Sequence, residues 1–338
     1  MSWYHIPGHQ QDVVVCTCIR LSRNLAGYPF PTRLDAVGAK EIIGRVGSVL
    51  EQSGFVATDF SEISRGHAES FAEKRFISPR FVRESLPHAL FLNDPCNLSV
   101  AVCEEDHIRI RCILAGMALK DAYEGAAKVE TLLDKSLDLA FDEKMGYLTA
   151  SPAHIGTAME VSVILSLPLL AESGRAGGFS RRFEQAGLSL RGPDGSSSAF
   201  PGGLYRLCNR VTLGLQEEEI LEAVAGAVQT LTGAERTLRS SLRGEEHDRL
   251  TDRIRRAEGI LRHAHLLSAA EAADLLGLLR LGAAMGITRS IRVEVLTALL
   301  TEAMPATLTL GVEPSPKNPT EEDILRAKLV RERIFGDT

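Results

Sequence analysis

The amino-acid sequence predicts an α+β protein, with a mixed domain of strands and helices over residues 1–215 followed by an all-helical domain over 216–338. Three observations carry this reading. A chain of 338 residues is long enough to build two hydrophobic cores. Up to about residue 215, apolar runs of strand length alternate with stretches of helical period. From Gln216 onward the period is helical almost throughout.

The elements follow in order. "VVVCTCIRL", "HALFL", "LSVAVC" and "HIRIRCIL" read as strands, because β-branched and apolar residues dominate runs of strand length. In "CEEDHIRIR", residues 103–111, three acids and a histidine run into a strict alternation. Ile108 and Ile110 therefore face one way and Arg109 and Arg111 the other. "DAYEGAAKVETLLDKSL" has helical spacing. "AESGRAGGFS" (171–180) and "RGPDGSSSAFPGG" (191–203) are glycine-rich and polar, and both are expected to be surface loops. The helix from Gln216 opens with acids in its first turn, which suits the helix dipole. "EEHDRLTDRIRRAEGILRHA" places Leu250, Ile254, Ala257 and Leu261 on one stripe, so this helix must pack on a neighbour. "LLSAAEAADLLGLLRLGAAMGI" is apolar on several sides. Three prolines and a glycine in "GVEPSPKNPT" mark a loop before a last charged helix, "EEDILRAKLVRERIF".

Composition bounds the function. With 44% hydrophobic and 24% charged residues and a net charge of −6, the chain has no polybasic tract suited to nucleic acid or a membrane surface. The N-terminus lacks the basic and apolar regions of a secretory signal, and no run approaches the ~18 apolar residues of a membrane span. A cytoplasmic protein is expected. Six cysteines without framework spacing suit free thiols. Cys16 and Cys18 form a C-x-C pair, yet no second pair completes the four ligands of a structural zinc, so the pair reads as two buried strand thiols and no metal site is expected.

Six segments in order resemble one family: "CTCIRLSRNLAGYPFPTRL", "EKRFISP", "CEEDHIRIR", "MGYLTASPAHIGTAMEVSV", "RGPDGSSSAFPGGLYRLCNRVTLG" and "EEDILRAKLVRER". They are similar to the ATP:guanido phosphotransferases, and most of all to the bacterial protein-arginine kinases, over essentially the whole chain. The resemblance implies an antiparallel sheet flanked by helices, ATP and magnesium as co-substrate and ion, and a dimer formed through the helical half. It implies transfer of the γ-phosphoryl group of ATP to a guanidinium nitrogen. Such chemistry needs positioning and charge stabilisation, which carboxylates and arginines packed together supply. By position, Glu105 is then a guanidinium-binding carboxylate, and Arg20, Arg109 and Arg191 face the phosphates. In the tail, Asp323 and Arg326 occupy positions of a phosphoarginine-recognition element, whose first arginine is here Glu322.

The sequence departs from the family pattern where the chemistry is most demanding. Cys18 and Glu160 stand at arginine positions, Ser151 at a cysteine, His154 at an asparagine, and Ser196 and Ala199 at the two glutamates of a loop. Loss of one transition-state donor commonly costs ~10²–10³ in rate, and an anion beside a triphosphate is repulsive. The expectation is a diverged, weakly active or inactive pseudokinase that binds Mg-ATP weakly or not at all. It would act through protein contacts, pairing with itself or with a kinase paralogue, or binding protein substrates or an activator protein. The alternative is a working protein-arginine kinase with a rearranged site. A Ser151–His154 nucleophile pair is a weaker reading, since a spacing of three secures neither contact nor an orienting third group.

Overall fold

The structure is a computed structural model that describes residues 2–60, 62–94, 97–193 and 201–336. Along the chain, β1 (Val14–Arg23) is followed by α1 (Ala36–Glu51), β2 (Val56–Asp59), α2 (Arg65–Glu73), β3 (Ala89–Leu92), β4 (Leu98–Val102), β5 (Ile108–Ala115) and α3 (Leu119–Asp134). A short hairpin, β6 (Phe141–Asp142) and β7 (Gly146–Tyr147), leads to β8 (Met159–Ser166), α4 (Pro168–Glu172), α5 (Ala176–Gln185), β9 (Leu188–Arg191) and β10 (Leu204–Asn209). Helices complete the chain: α6 (Glu217–Ser241), α7 (Gly244–His263), α8 (Ala269–Ala284), α9 (Val293–Glu302), α10 (Pro305–Thr309) and α11 (Pro319–Phe335).

Eight strands make one sheet in the order β2-β3-β4-β5-β1-β8-β10-β9, and every pairing is antiparallel. Register sorts the residues by face. Ile19 lies opposite Cys112 and Val161, and Leu21 opposite Ile110 and Met159, so these side chains share one face. That face is the main core, buried under apolar residues of α1, α3 and α6. The other face carries Cys18, Arg20 and their neighbours; toward the start of β1 it is covered by Trp3, Phe71 and Phe76, and toward the end of β1 it is charged.

α6 contributes Ile220, Val224, Ala227, Val228 and Leu231 to the sheet's core. The boundary expected at 215/216 thus separates β10 from a helix that shares its core, and a change of periodicity is not a change of packing unit. The stripe foreseen on α7 is present: Leu250, Ile254, Ala257 and Leu261 are its buried residues. The expected loop at 171–180 is a correction. Only 173–175, with Gly174 at φ +68°, turn between α4 and α5; Gly177 and Gly178 stand at the start of α5 and face open space, while Phe183 is buried and anchors the helix. Of the second expected loop, 194–200 lie outside the described residues, and Pro201–Gly203 form a turn on α8. There Gly202 donates its N–H to Asp274 at 2.8 Å, and a Cβ built on Gly277 would lie 2.4 Å from Gly202 Cα.

The segment before β1 ties the sheet to the helical half. Arg236 grips the Asp12 carboxylate with two bonds of 2.6 and 2.9 Å. Arg239 donates to the Asp12 carbonyl at 3.2 Å, and the buried Arg280 donates to the carbonyls of Gln11 and Asp12. Gln11 in turn donates to Glu294 of α9 at 2.9 Å. Among the described residues the cysteines are free, with Cys16 buried and Cys18 half-buried in β1, as two strand thiols.

Candidate functional site

The charged face is built by strand register. Arg20 of β1 lies opposite Arg111 of β5 on one side and Glu160 of β8 on the other, while Arg109 lies opposite Ser22. On β10, Arg206 lies opposite Arg191 of β9. Five arginines from four strands therefore share one face with a single glutamate among them.

The turn between β4 and β5 holds the acidic end. Cys103 takes a positive φ of 63° and its N–H reaches the His107 carbonyl at 2.8 Å, which closes the turn tightly. Asp106 is buried and receives Asn24 Nδ2 and the Ala150 N–H, each at 2.9 Å. His107 Nδ1 accepts from the Leu25 N–H at 3.0 Å, which leaves Nε2–H to donate to the Pro29 carbonyl at 2.9 Å. Burial lowers the His107 pKa below its usual value, in keeping with this neutral ring. Asp106 and His107 thus fix the turn. Glu104 is buried too, bonded to Ser78 Oγ and to Arg109 at 2.8 Å. Of the three consecutive acids only Glu105 is partly exposed, so the geometry leaves it as the carboxylate able to meet a guanidinium. In this structure Arg109 answers that acidity itself: it is buried and paired with Glu104, Glu105 and, at 3.7 Å, Asp106. Burial alone would lower the Arg109 pKa, but the carboxylates raise it.

Glu160 dominates the centre. Its carboxylate pairs with Arg206 and lies 3.4 Å from Arg20. Burial pushes its pKa up, yet Arg20, Arg206 and Arg111 outweigh that and hold it down at about 2. It is a fixed anion at neutral pH. Cys18 adds no charge, because burial raises its thiol pKa against the pull of Arg111. Arg111 donates to the Arg75 carbonyl at 2.9 Å. On this face two arginines keep a buried donor without a partner, Arg20 Nε and Arg109 Nε. A small pocket bounded by Arg20, His154, Glu160, Asn209 and Arg210 sits on the Arg20 side of the face.

The sequence-selected residues are brought together only in part. Arg20, Arg109, Glu105, Cys18 and Glu160 meet on the charged face. Arg191 is at its rim, half exposed and 3.9 Å from Glu184. Ser151 and His154 precede β8; no hydrogen bond joins their side chains, and His154 Nδ1 is buried without a partner. Ser196 and Ala199 lie outside the described residues. Asp323 and Arg326 are elsewhere, on α11, where buried Arg326 donates to the Ala303 and Leu267 carbonyls at 2.8 Å and to Asp323 at 2.6 Å. Sequence reasoning missed Arg206 as a partner of Glu160. The spacing of Arg206 and Cys208 puts both on one face of a strand but does not say which residue of β8 they meet.

A nucleotide's phosphates fit the unpartnered donors of Arg20 and Arg109 and the cations of Arg111 and Arg206. They do not fit Glu160. Mg²⁺ usually reaches such sites on the phosphates with one or two carboxylates; among the described residues no group of three or more His, Cys, Asp or Glu is placed to hold a metal ion.

An antiparallel sheet backed by helices, with guanidinium groups and carboxylates across its open face, defines the architecture of the phosphagen kinases. Solved structures agree on the fold: the duplicated taurocyamine kinase of Schistosoma mansoni with bound transition-state-analogue components has TM-score 0.61 at 23% identity, covering 77% of this chain and 38% of that one. Lombricine kinase has TM-score 0.60 at 18% identity, covering 70% of each chain. The family model for the ATP:guanido phosphotransferase C-terminal catalytic domain matches residues 40–238, and that for the protein-arginine kinase McsB C-terminal domain matches 247–337. The protein-arginine kinase of Clostridium kluyveri is 36% identical over 335 residues, 98% of this chain and 97% of that protein. That of Halothermothrix orenii is 34% identical over 338 residues, 98% and 96% of the two chains. The chain belongs to the protein-arginine kinase family.

Proposed function

We propose that this chain is a diverged protein-arginine kinase in which transfer of the ATP γ-phosphoryl group to arginine is weak or absent, and which acts through protein contacts. The observation that carries the proposal is Glu160, an anion paired with Arg20 and Arg206 where a triphosphate would need cations. Nucleotide binding must break those pairs or accept a carboxylate against the phosphates, and either lowers affinity. Its partners would be a second copy or a kinase paralogue, with protein substrates or an activator protein, in the cytoplasm. No helix among the described residues is long and apolar enough to cross a membrane. Asp323 and Arg326 would contribute to phosphoarginine recognition only after Arg326 exchanges some of its present partners.

A second reading, a working kinase with a rearranged phosphate site, draws on a specific observation. Arg111 and Arg206 lie on the same face, and Arg20 and Arg109 keep unpartnered Nε–H groups. Calorimetry with Mg-ATP and a phosphoarginine assay on an unfolded, arginine-rich protein separate the two. The proposal expects a dissociation constant weaker than about ten micromolar and little acid-labile phosphate. Tight binding with substantial turnover establishes the second reading instead. Light scattering tests assembly, with a monomer at micromolar concentration counting against a dimer.

A further inference from the structure

We infer that the groove between α1 and the β2–β3 end of the sheet is a docking site for an extended, arginine-bearing segment of an unfolded polypeptide. The inference rests on the family reading that this chain handles proteins through their arginines, and it adds a place, away from the charged face, where such a chain would be held.

The groove has a structural origin. Ala57 lies opposite Phe91 and Asp59 opposite Ala89, so these residues form one strip of the sheet facing α1. On α1, Gly47 sits against the Phe91 ring, where a built Cβ would come within 3.1 Å. Gly44, one turn earlier, is different: a Cβ there meets nothing within 4 Å. A glycine inside a helix costs about 1 kcal/mol relative to alanine, and no packing contact at Gly44 requires it. Its effect is to leave a groove of about 910 Å³ open beside the helix.

The lining selects the occupant. The floor is apolar, while Glu51, Asp59 and Glu84 are set against the one ammonium of Lys40. His88 Nδ1 lies 2.7 Å from the Leu86 carbonyl and donates to it, which makes Nε2 an acceptor; Nε2 is buried and has no partner. Phe60, half-buried, packs its ring on His88 at 5.2 Å. The groove thus offers carboxylates and an aromatic surface, which a guanidinium with five donors and a stackable plane satisfies together. β2 is the outermost strand of the sheet, and among the described residues its outer edge pairs with no strand. Val56 on it is 68% exposed, so an extended segment can lie alongside. A second copy of this chain, with net charge −6, is a poorer match to an acidic groove.

The test is fluorescence anisotropy of a labelled unstructured peptide rich in arginine and valine, titrated with the full chain. Wild type is expected to bind it at least tenfold tighter than the same peptide with lysine in place of arginine. Gly44→Phe, which fills the groove, and the pair Glu51→Lys with Glu84→Lys should each weaken binding at least tenfold. Glu245→Lys, an exposed acid on α7 away from the groove, should leave it unchanged. Thermal melts identify a Gly44→Phe chain that does not fold, and the charge pair then decides. Wild-type affinity in both variants overturns the inference, as does equal binding of the lysine peptide. So does a change of oligomeric state in Gly44→Phe with peptide affinity intact, which would make the groove a self-interface. Mg-ATP calorimetry judges the charged face separately, so failure here leaves the proposed function standing.

Discussion

Glu160 sets the electrostatics of the charged face, and its own titration reports on that role. Its folded pKa, about 2, lies below the usual 4.5, so its stabilisation is complete above pH ~4.5 and is lost as pH falls through ~2. The contribution is at most about 3 kcal/mol, since part of the side chain meets solvent. Melting temperatures of wild type and Glu160→Gln should therefore differ most at neutral pH and converge on acidification below pH ~4.5; a gap that stays constant to pH ~3 would refute the ion-pair account. Glu160→Arg alone should destabilise the fold by roughly 2 kcal/mol, because it crowds like charges and leaves Arg206 without its carboxylate. Combined with Arg206→Gln the loss should shrink, and Mg-ATP affinity by calorimetry should rise at least tenfold over wild type. Restoring the cation without removing Arg206 is thus the wrong reversion, which the sequence pattern of lost residues did not reveal.

At the scale of elements, the β4–β5 turn depends on partners distant in sequence. Asn24→Ala removes a bond to buried Asp106 and another to the His107 N–H, and should lower stability by about 2–3 kcal/mol, measured by urea denaturation. Gly277→Ala forces apart α8 and the Pro201–Gly203 turn, and a comparable loss is expected. Most strands were legible, because alternation such as Ile108-Arg109-Ile110-Arg111 states which face is buried. α5 was not, since its two glycines mimic a loop while Phe179 and Phe183, the residues that commit it to a helix, are too few to show a period. Glu105 was legible as one of three acids, but its distinction from Glu104 and Asp106 is burial, which depends on Ser78, Asn24 and Ala150. The pairing of Glu160 with Arg206 was not legible either, because register across β8 and β10 is a property of the sheet.

For the whole molecule, the apolar helices expected to seek a partner largely cover one another. Leu276 and Leu279 of α8 pack with α7, α9 and α11 in one cluster, so a dimer must use what remains exposed, such as Ile260 and Leu266. A chain ended at residue 215 should aggregate, because it lacks the α6 residues that close the sheet's core; one ended after Ser241 should be the more soluble on gel filtration. The grip of α6, α8 and α9 on Gln11 and Asp12 also bears on how the protein is made. Gln11 and Asp12 are synthesised more than 200 residues ahead of Arg236, Arg239, Arg280 and Glu294, which clasp them. β1, early in the chain yet central in the sheet, waits likewise for β5 and β8. Pairing of such high sequence separation is slow, so the nascent chain carries an open sheet and an unanchored segment before β1 until translation is well past α8, and exposure to chaperones and proteases during synthesis follows from the topology.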